Sequence, residues 1–212
     1  MALKSDRRQA RTRQLLHQAL LELIREKGTE TVTVTDVAKR ANVNRGTFYL
    51  HYRDVPDMMD KMFEDVFRQI QSRTVAVDPR QIVLCGRRNE PLPVFVELLN
   101  LLKSHAKLIT VLLDSSAGLN YVRRFRKPVL EHVFSKFERI LPGDLPSRVP
   151  KEYVVYYVVS ANMGTILNWV ETGMKLSPYE LALMLTKIMT HGPLVSSGVM
   201  DTDFSAVPPP GD

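Results

Sequence analysis

The sequence of 212 residues carries one cysteine, Cys85, and one tryptophan, Trp169. A lone cysteine excludes an intrachain disulfide and a multi-thiolate zinc site, and it fits a reducing compartment. No apolar run approaches the roughly 18 residues of a membrane span. The N-terminus is basic but lacks the apolar core and small-residue cleavage site of a secretory signal. A cytoplasmic protein with no membrane partner is therefore expected. The histidines His17, His51, His105, His132 and His191 are scattered, with no pair at metal-ligand spacing. Glycine-rich phosphate loops are missing, and Ser115 and Ser116 lie in no nucleophile elbow. The expectation is a protein that is not an enzyme, with no catalytic residue, no metal and no cofactor.

What is present is an uneven distribution of charge. The formal net charge is +6. Residues 1–53 hold eleven Lys or Arg against five Asp or Glu, whereas the other 159 residues hold eighteen of each sign. All the excess positive charge sits at one end. A basic module on a neutral body is the footprint of nucleic-acid binding, because neutralising phosphates releases condensed counterions. Hydrophobic content of 44% with 25% charged residues is ordinary globular composition, and the length suits one or two domains.

Within that basic end, residues 33–52 read TVTDVAKRANVNRGTFYLHY. Thr33 with Asp36 three positions on makes a loose capping box, and Val34, Val37, Ala38 and Ala41 fall at helical spacing. Asn42 stands where the helix must stop and tolerates a left-handed backbone. Val43 anchors the turn, and Asn44 can cap a second helix over Arg45–His51, on which Arg45, Thr47, Tyr49 and His51 are polar. Such a pattern is a helix-turn-helix with an exposed recognition helix.

A first helix is expected from about Ser5 to Lys27, with Leu15, Leu16, Ala19, Leu20, Leu23 and Ile24 buried and Gly28 ending it. Its front end (Lys4, Arg7, Arg8, Arg11 and Arg13) is too charged to pack and is expected along a DNA backbone. Asp54 and Pro56 open a fourth helix, and residues 75–91 read as a linker or loop. Further helices are expected at Leu92–Lys103, His105–Asp114, Asn120–Ile140, Pro150–Thr172 and Pro178–His191. The fold class is all-α, an N-terminal three-helix helix-turn-helix domain plus a C-terminal helical bundle. Its parts are a DNA-binding domain at 1–53, a ligand-binding and dimerisation domain at 54–192 with 54–74 as connecting helix, and a disordered tail at 193–212.

The stretch TVTVTDVAKRANVNRGTFYLHYRD, with Arg45–Tyr52 as recognition-helix signature, resembles the TetR/AcrR family of transcriptional regulators over roughly residues 8–65. Ser160–Leu181, SANMGTILNWVETGMKLSPYEL, looks like the end of a subgroup described from Firmicutes. The resemblance implies a homodimer, a palindromic double-stranded DNA operator, a helical ligand pocket, and release of DNA when a small molecule binds. Two departures stand out: Asn42 replaces the usual turn glycine, and Val55 replaces a lysine that commonly meets a phosphate. Arg53 is a nearby substitute for that lysine.

The expected DNA contacts are Thr33, Thr35, Asn44, Arg45, Gly46, Thr47, Tyr49, His51 and Arg53, with Arg7, Arg8 and Arg11 on the backbone. Arg45 can read guanine or hold a phosphate, and both readings stand. Gly46 either permits a close backbone approach or is a tolerated early-helix glycine. Phe48 and Tyr52 are expected in the core, and His51 either reaches a phosphate or packs on the fourth helix. Met62, Phe63, Phe67, Phe95, Leu99, Leu102, Ile109, Leu113, Tyr121, Phe125 and Tyr156 are candidates to line a pocket for a small apolar or aromatic effector; ordinary core packing explains each equally well. A dimer face is expected at Ser160, Gly164 and Asn168, which recur every four residues, flanked by Met163 and Trp169 and joined by Leu181 and Leu185.

These readings converge on a sequence-specific DNA-binding regulator, a ligand-responsive repressor acting as a homodimer. The alternative is a protein-interaction co-regulator with weak or vestigial DNA binding, which Val55 favours. A third possibility, general nucleic-acid coating, predicts steep salt dependence with little sequence preference.

Overall fold

The computed structural model describes residues 2–74, 79–114, 118–140 and 149–198. Among them, regular structure is entirely helical: ten α-helices and one 3-10 turn at Thr29–Thr31, with no strand. The helices are α1 (Ala2–Lys27), α2 (Val34–Arg40), α3 (Arg45–Tyr49), α4 (Val55–Thr74), α5 (Pro79–Arg88), α6 (Pro93–Ser104), α7 (Ala106–Asp114), α8 (Gly118–Ile140), α9 (Lys151–Glu171) and α10 (Pro178–Ser196).

Two compact units result. One comprises Met1–Gln71 and His105–Arg126; the other comprises Ser72–Ser104 and Lys127–Asp212. This differs from a simple cut after residue 53, because α7 packs on α1 and joins the head. Helical periodicity shows which face of α7 is apolar but not which distant helix will cover it.

In the first unit, α1 buries Leu16, Ala19, Leu20, Leu23 and Ile24, while Leu15 is exposed rather than part of the stripe. Each fully buried leucine contributes about 1.5–3 kcal/mol relative to an exposed one. Gly28 ends α1 at φ 80°, a backbone that side-chain-bearing residues rarely adopt. Two surface links fix α2 on α1. Arg40 donates to both carboxylate oxygens of Glu26 at 2.8 and 2.7 Å, and Lys27 donates to Asp36 at 2.7 Å. Phe48, Val37 and Leu20 are fully buried, and Tyr52 nearly so, as their spacing predicts.

In the second unit, α10 packs on α5 and α6. The α10 side chains Leu181, Ala182 and Leu185 are buried, and so is the hydroxyl-bearing Thr186. Thr186 is satisfied twice: its Oγ1 accepts from Leu92 N–H at 2.9 Å and donates to the Ala182 carbonyl at 2.7 Å. Helix α5 is a correction, since residues 75–91 read as a loop. Its Gly86 is no breaker but a crossing point, where α5 backbone lies against Thr190 of α10. The expected tail also begins too early, because α10 continues to Ser196 across a kink at Gly192, φ 78°, before Pro193. Residues 199–212 lie outside the described residues, as do Ser115 and Ser116.

Candidate nucleic-acid interface

The presented surface is built by caps and one tight turn. Thr33 Oγ1 accepts from Asp36 N–H at 3.2 Å, and Asp36 Oδ2 accepts from Thr33 N–H at 2.9 Å, a complete capping box at the start of α2. Asp36 also takes hydrogen bonds from Lys27 and from the Thr33 hydroxyl, which hold its carboxyl well below the usual range. The donor of Thr33 is thus used by the cap. Thr33 and Thr35 are both exposed on this turn.

Just past the Ala41 cap of α2, Asn42 has φ 50°, so asparagine supplies the left-handed residue that the turn needs. Asn44 then caps α3, its Oδ1 accepting from Gly46 N–H at 2.9 Å. With five residues, α3 is short, and its two sides differ sharply. Phe48 packs inward, within 5.6 Å of the Tyr52 ring. Arg45, Gly46, Tyr49 and Leu50 occupy the opposite side, where i and i+4 neighbours share a face, and all four are exposed. Arg45 Nη2 donates to the Tyr49 hydroxyl at 3.4 Å, so the two polar groups stand together. Thr47 is partly covered.

Leu50, 81% exposed, escapes a reading of the sequence that follows polar residues alone. Its spacing from Gly46 was the available signal, since an apolar side chain on this face can meet a thymine methyl. Arg7, Arg8 and Arg11 project along exposed positions of α1. Arg53 is exposed, and its side chain donates to Asp57 at 3.2 Å. Val55 is buried.

Tyr52 sits behind α3 as a hub. His17 Nε2 lies 2.7 Å from its hydroxyl, and Lys61 Nζ stands 5.4 Å from its ring centre. Burial pushes the Tyr52 hydroxyl up to about 12 and lowers His17, with Arg13 and His51 lowering His17 further against Asp65. His51 is half-buried and lowered by burial, then by Arg13 and Lys61.

Two family models match this architecture. One described as "Bacterial regulatory proteins, tetR family" covers residues 16–58, and one described as "Transcriptional regulator C-terminal region" covers residues 89–191. The chain belongs to the TetR family. It is a transcriptional regulator with a DNA-binding helix-turn-helix domain, and regulators of this family are not enzymes. Among its relatives is the uncharacterized HTH-type transcriptional regulator YxbF of Bacillus subtilis, 25% identical over 185 residues, covering 84% of this chain and 44% of YxbF. The chain therefore spans under half of that relative's length. Among solved structures, a putative TetR-family regulator from Syntrophomonas wolfei has the same fold, with TM-score 0.62 and 17% identity over 91% of this chain and 98% of that one. So does NalD from Pseudomonas aeruginosa, the secondary repressor of the MexAB-OprM multidrug efflux pump, with TM-score 0.58 and 21% identity over 87% and 96%.

Elsewhere in this TetR-family chain, the expected pocket residues divide between the units. Met62, Phe63, Phe67, Ile109, Leu113 and Tyr121 belong to the first; Phe95, Leu99, Leu102 and Tyr156 belong to the second. In the first, Phe63 stacks on Phe67 and lies 4.7 Å from the Tyr121 ring, and Met62 is buried beside them on α4. Tyr156 is 47% exposed, so it is no wall of a closed cavity, and the Phe125 side chain lies outside the described residues. Of the expected dimer face, Trp169, Leu181 and Leu185 are corrections: all are buried within the protomer, with Trp169 Nε1 donating to the Leu176 carbonyl at 2.9 Å. Ser160 and Met163 are partly covered and Asn168 is exposed, while a Cβ added to Gly164 would meet nothing within 4 Å. Among the described residues, no helix is long and apolar enough to cross a membrane, and no group of three His, Cys, Asp or Glu could hold a metal ion.

Proposed function

We propose that this protein is a ligand-responsive repressor that binds a palindromic operator as a homodimer in the cytoplasm. The observation that carries the reading is the two-sided α3, with Phe48 buried and Arg45, Gly46, Tyr49 and Leu50 exposed on a head holding all the excess positive charge. Arg45 suits bidentate recognition of guanine, Tyr49 and Thr47 suit base or phosphate contacts, and Gly46 permits close backbone approach. Thr35, Asn44, His51, Arg53, Arg7, Arg8 and Arg11 position the head on phosphates. The exposed side of α9, with Tyr153, Tyr157 and the bare Gly164, supports pairing with a second copy. An apolar effector acting on the helical body would favour a dimer whose recognition helices no longer match successive major grooves, about 34–36 Å apart.

Selection of bound duplexes from a randomised pool tests this. The reading predicts enrichment of an inverted repeat whose half-sites lie one or two helical turns apart. A pool that stays random through repeated rounds contradicts it and favours a protein-interaction co-regulator.

A further inference from the structure

The face that α3 presents holds two neighbouring pairs of residues, each pair one turn apart. Arg45 and Tyr49 form the polar pair, with Arg45 Nη2 donating to the Tyr49 hydroxyl at 3.4 Å. Gly46 and Leu50 form the other, which offers no polar side-chain atom. At 81% exposure Leu50 is the barest large apolar side chain among the described residues; Tyr153 follows at 68%.

A solitary exposed leucine is ordinary on a protein surface. Leu50 differs in how it is held. Its N–H donates to the Gly46 carbonyl at 3.2 Å, and its backbone keeps helical angles, φ −69° and ψ −19°. Phe48 two positions before and Tyr52 two positions after are both buried, so the segment is pinned on each side. A helical side chain leans towards the N-terminus of its helix, over the residue four positions back. That residue is Gly46, where even a Cβ would meet only the Asn44 Oδ1, at 3.6 Å. Leu50 and the bare Gly46 backbone thus make an apolar step beside the Arg45–Tyr49 pair. The isobutyl group can neither pair with a phosphate nor hydrogen-bond a base edge, and covering such groups with hydrocarbon costs them their water. The apolar group that the major groove displays is the thymine 5-methyl.

We propose that Leu50, seated over Gly46, reads a thymine methyl in each operator half-site and is a specificity-determining residue of α3. The inference rests on α3 entering the major groove, and it deepens that reading by naming a base. The thymine lies next to the base pair or phosphate that Arg45 and Tyr49 engage. Burying the methyl against Leu50 adds affinity without neutralising charge, so this contact selects sequence and leaves the salt dependence to the arginines.

The test removes the methyl alone. The full-length chain is titrated by fluorescence anisotropy against a duplex that it enriches from a randomised pool. Deoxyuridine, which keeps the hydrogen-bonding edge of thymidine, replaces each thymine first in one half-site and then in both. At one position wild type should lose about fourfold in affinity for a single methyl and about fifteenfold for the symmetric pair. Leu50→Ala should bind the parent duplex more weakly and no longer distinguish thymine from uracil there, with an unchanged salt slope. Leu50→Met should keep the distinction, and Leu50→Gln should enrich a different base at that position. Because Leu50 is exposed, all three variants should melt as wild type does. Equal sensitivity of wild type and Leu50→Ala to uracil at every thymine, or an enriched half-site without thymine, overturns the Leu50 contact and leaves α3 a sequence reader. A wild-type pool that stays random overturns sequence recognition and the Leu50 contact together.

Discussion

His17 and Tyr52, thirty-five positions apart, meet through a 2.7 Å hydrogen bond between the imidazole Nε2 and the phenol hydroxyl. This contact ties the middle of α1 to the segment that follows the recognition helix. Tyr52 is buried and His17 partly covered, so water is a poor replacement partner for the phenol hydroxyl. Tyr52→Phe should therefore lower the unfolding free energy by about 1–2 kcal/mol, read from urea denaturation. An unchanged midpoint would show that the bond contributes nothing to the head.

The same contact sets a pH dependence. His17 is depressed below its ordinary 6.5 by burial first, so the folded head favours neutral imidazole. The unfolded chain then binds the proton more readily, and stability is complete above 6.5 and falls as the pH drops through 6.5 towards the folded value. His17→Gln should flatten that acid limb of a stability curve measured between pH 8 and pH 5. A limb of undiminished steepness would assign the loss to other groups.

Gly46→Ala separates folding from recognition. A Cβ at this position meets only the Asn44 Oδ1, at 3.6 Å, an ordinary contact, and the backbone there is helical. Alanine should leave the melting temperature unchanged or raise it, given a helix preference of up to about 1 kcal/mol over glycine. DNA affinity should nonetheless fall at least tenfold, because the added methyl stands where backbone approaches the duplex. Wild-type affinity in this variant would make Gly46 a tolerated helix residue and no more.

Gly86→Ala should act in the opposite way. A Cβ on Gly86 would lie 2.7 Å from Thr190 Cβ and closer still to its Oγ1 and Cγ2, with no room at the crossing of α5 and α10. Forcing the helices apart should cost about 1–3 kcal/mol of stability in a thermal or urea melt. Combining it with Thr190→Ala should recover part of the loss; strictly additive effects would place the strain elsewhere.

His51 is lowered by burial first and then by Arg13 and Lys61; a phosphate beside it would favour the protonated imidazole and raise its pKa in the DNA complex. The complex then holds more protons than the free head, so affinity should rise as pH falls from 7.5 to 6.0, by at most about tenfold per pH unit. His51→Gln should remove that rise. A pH profile identical in the two proteins would put the phosphate away from the imidazole.

Much of the head was legible because its signals are local. Thr33 with Asp36, Asn42 and Asn44 each act within four residues of themselves, and all three appear as caps or a left-handed turn. Phe48 and Tyr52 betrayed their burial by spacing alone. The rest depends on partners far along the chain. Gly86 read as a breaker because the helix that needs its missing side chain is about a hundred residues away. Trp169, Leu181 and Leu185 read as a dimer face because periodicity does not distinguish a neighbour within the chain from one in a second copy. The donation of Lys61 to the His51 carbonyl, ten positions back, joins α4 to the segment after α3, and no periodicity encodes it.

Whether α3 reads a specific DNA sequence is decided by one titration. Fluorescence anisotropy would compare the chain's own upstream intergenic duplex with a scrambled duplex at about 0.15 M salt, for wild type and Tyr49→Ala. A recognition helix of this kind should prefer the intergenic duplex by about 10³-fold or more. Tyr49→Ala should lose much of that preference while keeping wild-type helix content. Equal, weak and salt-sensitive binding to both duplexes, unaffected by Tyr49→Ala, would contradict sequence reading by α3.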